Sequence, residues 1–199
     1  MSFLQLYLPL YFIAYLTLAF IWPSYRTYRQ TGINPVTFGK TDNAHDYIGR
    51  VMKLLIVLLM VSIIIFSFIP SRYTYLGPIT VLEQAACFYT GLILMHLSLI
   101  WIAVAQYQMN KSWRIGIDEV HKTELITRGL FRYSRNPIFL GMIVSVSGVF
   151  LVLPNTLTFC ILFSTYFIIH IQIRLEEAFL VQQHPEAYKQ YKTHTRRIL

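Results

Sequence analysis

"GLFRYSRNPIFLGM", Gly129 to Met142, changes character at its midpoint. Arg132 and Arg135 stand in its first half, with Arg128 just before them; from Asn136 onward no Asp, Glu, Lys or Arg occurs until Arg174. That uncharged run is long enough for two passes of a bilayer, interrupted only by Leu153-Pro154-Asn155-Thr156. Three further stretches carry no charge: Phe3 to Trp22, Leu54 to Pro70 and Gln84 to Asn110. A span needs about 20 apolar residues. The chain therefore reads as all-α and polytopic, with about five transmembrane helices, the fourth and fifth forming a tight hairpin. Composition agrees: 13% of the residues are charged and 55% hydrophobic, where a soluble domain carries about a quarter charged. Phe3 to Trp22 lacks the basic start and small-residue cleavage site of a signal peptide, and is read as a span.

The net charge of +8 is distributed by topology and does not mark a nucleic-acid footprint. Arg26, Arg29, Lys40, Arg50 and Lys53 lie between the first two spans, and six basic residues from Lys111 to Arg135 between the third and fourth. Five more, from Arg174 to Arg197, end the chain, and only Arg72 falls in a loop of the opposite side. Basic residues favour the cytoplasm, so the expectation is an N-terminus outside and a C-terminus inside, in a bacterial inner membrane. Anionic lipid headgroups are the natural counter-ions. Cys87 and Cys160 fall within spans and have no CxxC partner.

Residues 1–110 read as a three-helix scaffold with one cytoplasmic loop. In that scaffold His96 is expected as a neutral histidine bonded to a neighbouring helix or as a functional group, and Gln106 and Gln108 as helix-end residues. Asp42, His45 and Asp46 offer a weak metal-ligand set; Thr41 or Asp42 is the expected cap of the second span. Residues 111–199 are the informative unit. "NKSWRIGIDEVHKTELITRGLFRYSRNP" is too rich in Trp, Ile, Leu and Phe for a disordered linker, and reads as a cytoplasmic cap built together with the C-terminal segment. Asn136-Pro137 then opens the fourth span, proline being tolerated in a first helical turn. Straight after the fifth span come Arg174, Glu176 and Glu177. On a continuing helix Glu176 and Leu180 share a face, while Glu177 points about 100° away, toward water or a basic partner.

The order Leu125-Ile126-Thr127, Gly129, Phe131, Arg135-Asn136-Pro137-Ile138-Phe139-Leu140-Gly141, Glu176-Glu177, Leu180, Tyr188 and Tyr191 resembles the isoprenylcysteine carboxyl methyltransferase family and its bacterial relatives. The resemblance implies S-adenosyl-L-methionine bound without a Rossmann domain, along Thr123, Glu124, Leu125, Ile126, Phe131, Arg135, Asn136, Pro137, Ile138, Phe139 and Glu176. It implies Glu176 for the donor's ammonium, and Arg135 or the amides of the turn for its carboxylate. Arg174 or Gln172, with Glu176, is then the group that orients the methyl acceptor. The sequence departs from the family pattern at Asn136 (His), Phe139 (Tyr) and Gln172, where eukaryotic members carry an acceptor-associated Arg. The acceptor expected is lipidic or amphiphilic, with a carboxylate as one option. Two other readings stand beside this one: a sterol- or steroid-type membrane reductase using a dinucleotide, whose C-terminal pattern is similar, and a non-enzymatic transporter or scaffold.

Overall fold

The structure, a computed structural model, describes residues 2–38, 43–118 and 120–199. Four helical spans are long and apolar enough to cross a membrane: Phe3–Thr31, Ala44–Phe68, Ala85–Ser112 and Thr156–Gln183. A shorter apolar helix, Pro137–Val152, completes the five. No strand occurs among the described residues. The chain is an all-α, multi-pass membrane protein.

The first span is built from α1 (Phe3–Leu16), a π-helical turn (Thr17–Ile21) and α2 (Trp22–Thr31). Proline at position 23 explains the irregularity. It has no N–H to give the carbonyl four residues back, which is that of Ala19. That carbonyl instead accepts from Gln106 Nε2 at 2.6 Å. The span ends at Gly32 in the left-handed region, with φ of 69°.

The second and third spans are α3 (Ala44–Phe68) and α4 (Ala85–Met109). The cap of α3 is Asn43, whose side chain accepts from the Asp46 N–H; the expected caps, Thr41 and Asp42, lie outside the described residues. His96 on α4 bonds within and between helices: Nδ1 donates to the Leu92 carbonyl, and Nε2 lies 3.1 Å from the Tyr7 hydroxyl of α1.

The hairpin pairs α5 (Pro137–Val152) with α6 (Thr156–Gln183). Asn155 caps α6, accepting from the Thr158 N–H at 2.9 Å. The turn is pinned by the loop from the facing side, where the Ile79 N–H donates to Pro154 and the Thr156 N–H to Gly77. At 16 residues, α5 is about 24 Å long, short of a hydrocarbon core of about 30 Å. The Asn136-Pro137 junction therefore stands less than a full span from the turn at Pro154-Asn155. The same rise counted up α6 from the turn reaches Gln172, which sets the level of the site.

The basic end carries a folded cap. Ile115 donates to Pro35 and accepts from Thr37, joining the loop before α3 to the segment after α4. His45 Nε2 accepts from the Ile117 N–H, and its ring stacks on Phe38 at 4.3 Å. No metal-binding group of three or more ligating side chains exists among the described residues, and Asp42 of the expected ligand set lies outside them. Asp118 anchors the rest. Its burial works against the charged form, but bonds from the His121 N–H, the Arg114 guanidinium and the Val120 N–H prevail and hold the carboxyl below its usual range. Finally α7 (Pro185–His194) folds back beneath α6, burying Tyr188 and Tyr191.

Candidate functional site

Two cavities meet where α4, α5 and α6 reach the cap. The first opens at the basic end and encloses about 630 Å³ including its mouth. Its walls are Thr123, Glu124, Leu125 and Ile126 from the loop, Phe131 and Arg135 from the turn, and Asn136, Pro137, Ile138 and Phe139 from the start of α5. Glu176 and Leu180 close it from α6, Tyr188 and Tyr191 from α7, and Met109 and Ser112 from the end of the third span. All eleven residues expected along a cofactor thus line one space.

The second cavity, about 640 Å³ with its opening, lies between the spans and the cap, whose Trp113, Ile115 and Gly116 help to line it. Its lining is mostly apolar, from Ala19, Phe20, Met52, Ile102 and Met142 among others, with Gln106, Arg114, Gln172 and Glu176 as the polar members. Met109, Ile138, Phe139 and Glu176 belong to both cavities and form their common wall.

The elements that hold these walls depend on long-range bonds. Gly129 has φ of 65°, and a β-carbon there would sit 2.4 Å from the Gln108 side chain. With glycine present, Gln108 Oε1 accepts from the Leu130 N–H and fastens the turn to α4. His184 Nε2 donates to the Thr123 carbonyl at 2.9 Å, and the Tyr191 hydroxyl donates to the Phe131 carbonyl. Burial, with the nearby Glu177 carboxylate adding to it, pushes the Tyr188 phenol up to about 12. It stays a neutral group at any ordinary pH.

The two adjacent carboxylates of α6 part company. Glu177, 5% exposed, receives Arg135 Nε at 3.0 Å and Nη2 at 2.8 Å on one oxygen, and Arg197 Nε at 3.0 Å on the other. Arg135 Nη1 also donates to the carbonyls of Lys192 and Thr195. Its fork is therefore engaged by protein groups, while the residue also lines the cap cavity. Arg135 ties α6, the tail and the Asn136 turn together. The tail completes the clamp, since Arg135 N–H donates to Arg196 and Asn136 Nδ2 to Arg197. Glu176 has one side-chain partner among the described residues, Gln172 Nε2 at 2.8 Å, and faces both cavities.

Gln172 is 1% exposed and lines the second cavity. Arg174 lies elsewhere. It is exposed, donates to the His170 carbonyl at 2.6 Å, and lines neither cavity, because it is two residues from Gln172 and so about 200° around the helix. Sequence reasoning also missed contributors. Tyr188 and Tyr191 were visible as part of the motif, whereas Gln106 had no local signal beyond being polar near the end of a span.

A protein-family model described as phospholipid methyltransferase matches residues 86–187, from the start of α4 into α7. No curated protein matches the chain. The matched region includes the loop, turn and α5–α6 walls of both cavities, and it selects methyl transfer over the dinucleotide reductase and the non-enzymatic scaffold. On that match, which spans half of the sequence, the chain belongs to the phospholipid methyltransferase family, which includes the isoprenylcysteine carboxyl methyltransferase-like membrane methyltransferases.

Proposed function

We propose that the protein transfers a methyl group from S-adenosyl-L-methionine, bound in the cap cavity, to a lipidic acceptor held in the second cavity. The observation that carries this reading is the common wall: two adjoining spaces, one reaching into the cap and one in among the spans, that share Met109, Ile138, Phe139 and Glu176.

The residues present suit the donor. Glu176 supplies a carboxylate for an ammonium, and Leu125, Ile126, Phe131 and Leu180 supply apolar surface for a purine. With Arg135 engaged by Glu177, carboxylate recognition is assigned to the first turn of α5. There Ile138 and Phe139 have amides with no helical acceptor, and a helix N-terminus favours an anion. Bound S-adenosyl-L-methionine would supply a methyl on a sulfonium, a good leaving group that needs no acid. The protein's part is alignment and exclusion of water, contributions of several kcal/mol in general. Met109, Ile138 and Phe139 keep the common wall dry, and Glu176 carries the charge at its edge. Residues 111–199 hold the donor in this reading, while the first three spans give the acceptor cavity Ala19, Phe20, Met52 and Gln106.

Glu176→Gln is expected to weaken S-adenosyl-L-methionine binding about tenfold, the loss of one charge-assisted bond, with the melting temperature unchanged. Equilibrium titration of detergent-solubilised protein tests this, with a dinucleotide titrated in parallel. Unaltered affinity in the variant, or binding of the dinucleotide alone, would end the proposal.

The orientation is part of the same reading: cap and C-terminus in the cytoplasm, where the donor is found, with residues 71–80 and 153–156 outside. Reporter fusions at the C-terminus and within residues 71–80 check it, and a C-terminal reporter active only outside would reverse the assignment.

A further inference from the structure

A third cavity opens on the flank of the bundle, between the first and third spans at their basic ends. It encloses about 590 Å³ with its opening. Leu18 and Ala103 make it apolar toward the middle of the spans, while Trp22, Arg26, Tyr107 and Asn110 line its other end. Arg26 follows Leu18 by eight residues, so the two ends lie about 12 Å apart at the helical rise. Arg26 Nη2 donates to Asn110 Oδ1 at 2.9 Å, and its guanidinium carbon stands 4.9 Å from the centre of the Tyr107 ring. No Asp or Glu lines the cavity, and most of the Arg26 donors have no partner among the described residues.

Asn110 is the most telling of these residues. It stands just past α4 with φ of 49° and ψ of −120°, and among the described residues no other non-glycine has a positive φ. Glycine adopts that backbone freely, whereas a residue with a β-carbon adopts it under strain. Glycine, however, has no side chain to hold Arg26. With its oxygen on Arg26, the Asn110 amide has its NH₂ left to give.

We propose that this cavity holds an anionic phospholipid as a resident lipid that does not react, with its phosphate on Arg26 and the Asn110 NH₂ and its chains leaving past Leu18 and Ala103. Trp22, Tyr25, Tyr28 and Tyr107 are each more than half exposed at this level, as in the aromatic belt of a membrane interface. The cavity therefore lies where headgroups lie. A free phosphate ester would leave the apolar end uncovered, which commits the site to a lipid. An anionic head suits a lining with a cation and no carboxylate, and the exposed Lys111 next in sequence adds to the same field. A zwitterionic head brings an ammonium for which the lining has no counter-charge. Gln106 and Trp113 line both this cavity and the second one, so the lipid backs a wall of the proposed acceptor site without entering it. The assignment is independent of the methyl-transfer reading.

The test places full-length protein in nanodiscs of equal parts dioleoylphosphatidylglycerol and dioleoylphosphatidylcholine, and identifies the retained lipid by native mass spectrometry. The wild type is expected to retain phosphatidylglycerol in about fivefold preference, the effect of one basic residue at a membrane surface. Arg26→Gln should bring the ratio close to one. Arg29→Gln removes a charge outside the cavity and should leave the ratio in place. Ala103→Trp, at an exposed position, should fill the apolar end and displace the lipid. Asn110→Gly should lower the ratio with a melting temperature at or above that of the wild type, which an asparagine kept only for structure would not give. Glycerol 3-phosphate in excess should displace nothing. Equal retention of the two lipids by the wild type, equal losses from Arg26→Gln and Arg29→Gln, or a preference that survives both Arg26→Gln and Ala103→Trp would overturn the inference. Displacement by glycerol 3-phosphate would do so too. S-adenosyl-L-methionine affinity measured on the same samples reports separately on the proposed function.

Discussion

Glu177→Ala is expected to destabilise the cap by about 3–5 kcal/mol, the usual consequence of removing one partner from a buried ion pair. Arg135 is held by both oxygen-sharing bonds to Glu177, and the side chains of both are 6% exposed. Removing the carboxylate leaves a guanidinium in a poorly hydrated site facing a second one, Arg197. Three structures then loosen together: α6, the turn that carries Asn136, and the tail that bonds it. Donor binding should fall with stability, although Glu177 itself does not line the cap cavity. Thermal unfolding in detergent, read by size-exclusion, gives the stability. The paired variant Arg135→Met with Glu177→Leu should lose less than Glu177→Ala alone, since no charge is then stranded. A single variant that melts with the wild type would show the clamp to be dispensable.

Gly148→Leu is expected to be damaging as well, for a steric reason. A β-carbon at Gly148 would lie 2.8 Å from the Gly91 carbonyl oxygen and 2.9 Å from the Met95 backbone nitrogen. On the other helix, a β-carbon at Gly91 would lie 2.7 Å from the Gly148 carbonyl oxygen. The backbones of α4 and α5 touch there, as small residues permit in membrane helices. Overpacking of this kind costs about 1–3 kcal/mol or more, and the obstacle here is backbone that has no rotamer to yield. Separating the two helices also displaces Gln106 and Met109 from Ile138 and Phe139, so both cavities should lose their common wall. The expected result is a lower melting temperature and weak donor binding. Gly148→Ala should show a smaller version of both. Wild-type melting and donor affinity for Gly148→Leu would count against the close contact.

Much of this was legible locally. Uncharged runs of span length, the Asn136-Pro137 start of α5 and the Pro154-Asn155 turn needed only hydropathy, proline geometry and helix caps. The separation of Glu176 from Glu177 followed from helical periodicity, as did Glu176 sharing a face with Leu180. The partners of those side chains were harder to read. Arg135 looked like a ligand for a carboxylate because an arginine beside a cofactor motif usually has that chemistry. Its partner is the protein's own Glu177, 42 residues away. Arg174 looked close to the acceptor because it is near Gln172 in sequence, and the helix turns it to the outside.

The amino-acid order by itself determined the class, the number of apolar helices and which residues gather at their basic ends, because apolar runs, prolines and caps act within a few residues of themselves. Only the tertiary structure decided how the polar groups are spent. Gln106 meets Ala19 across 87 positions and Arg135 meets Glu177 across 42. In a low-dielectric interior each donor and acceptor settles on the nearest partner in space. Those left over, such as the buried oxygens of Gln106 and Gln172 that have no partner among the described residues, can be identified only after every helix has been packed.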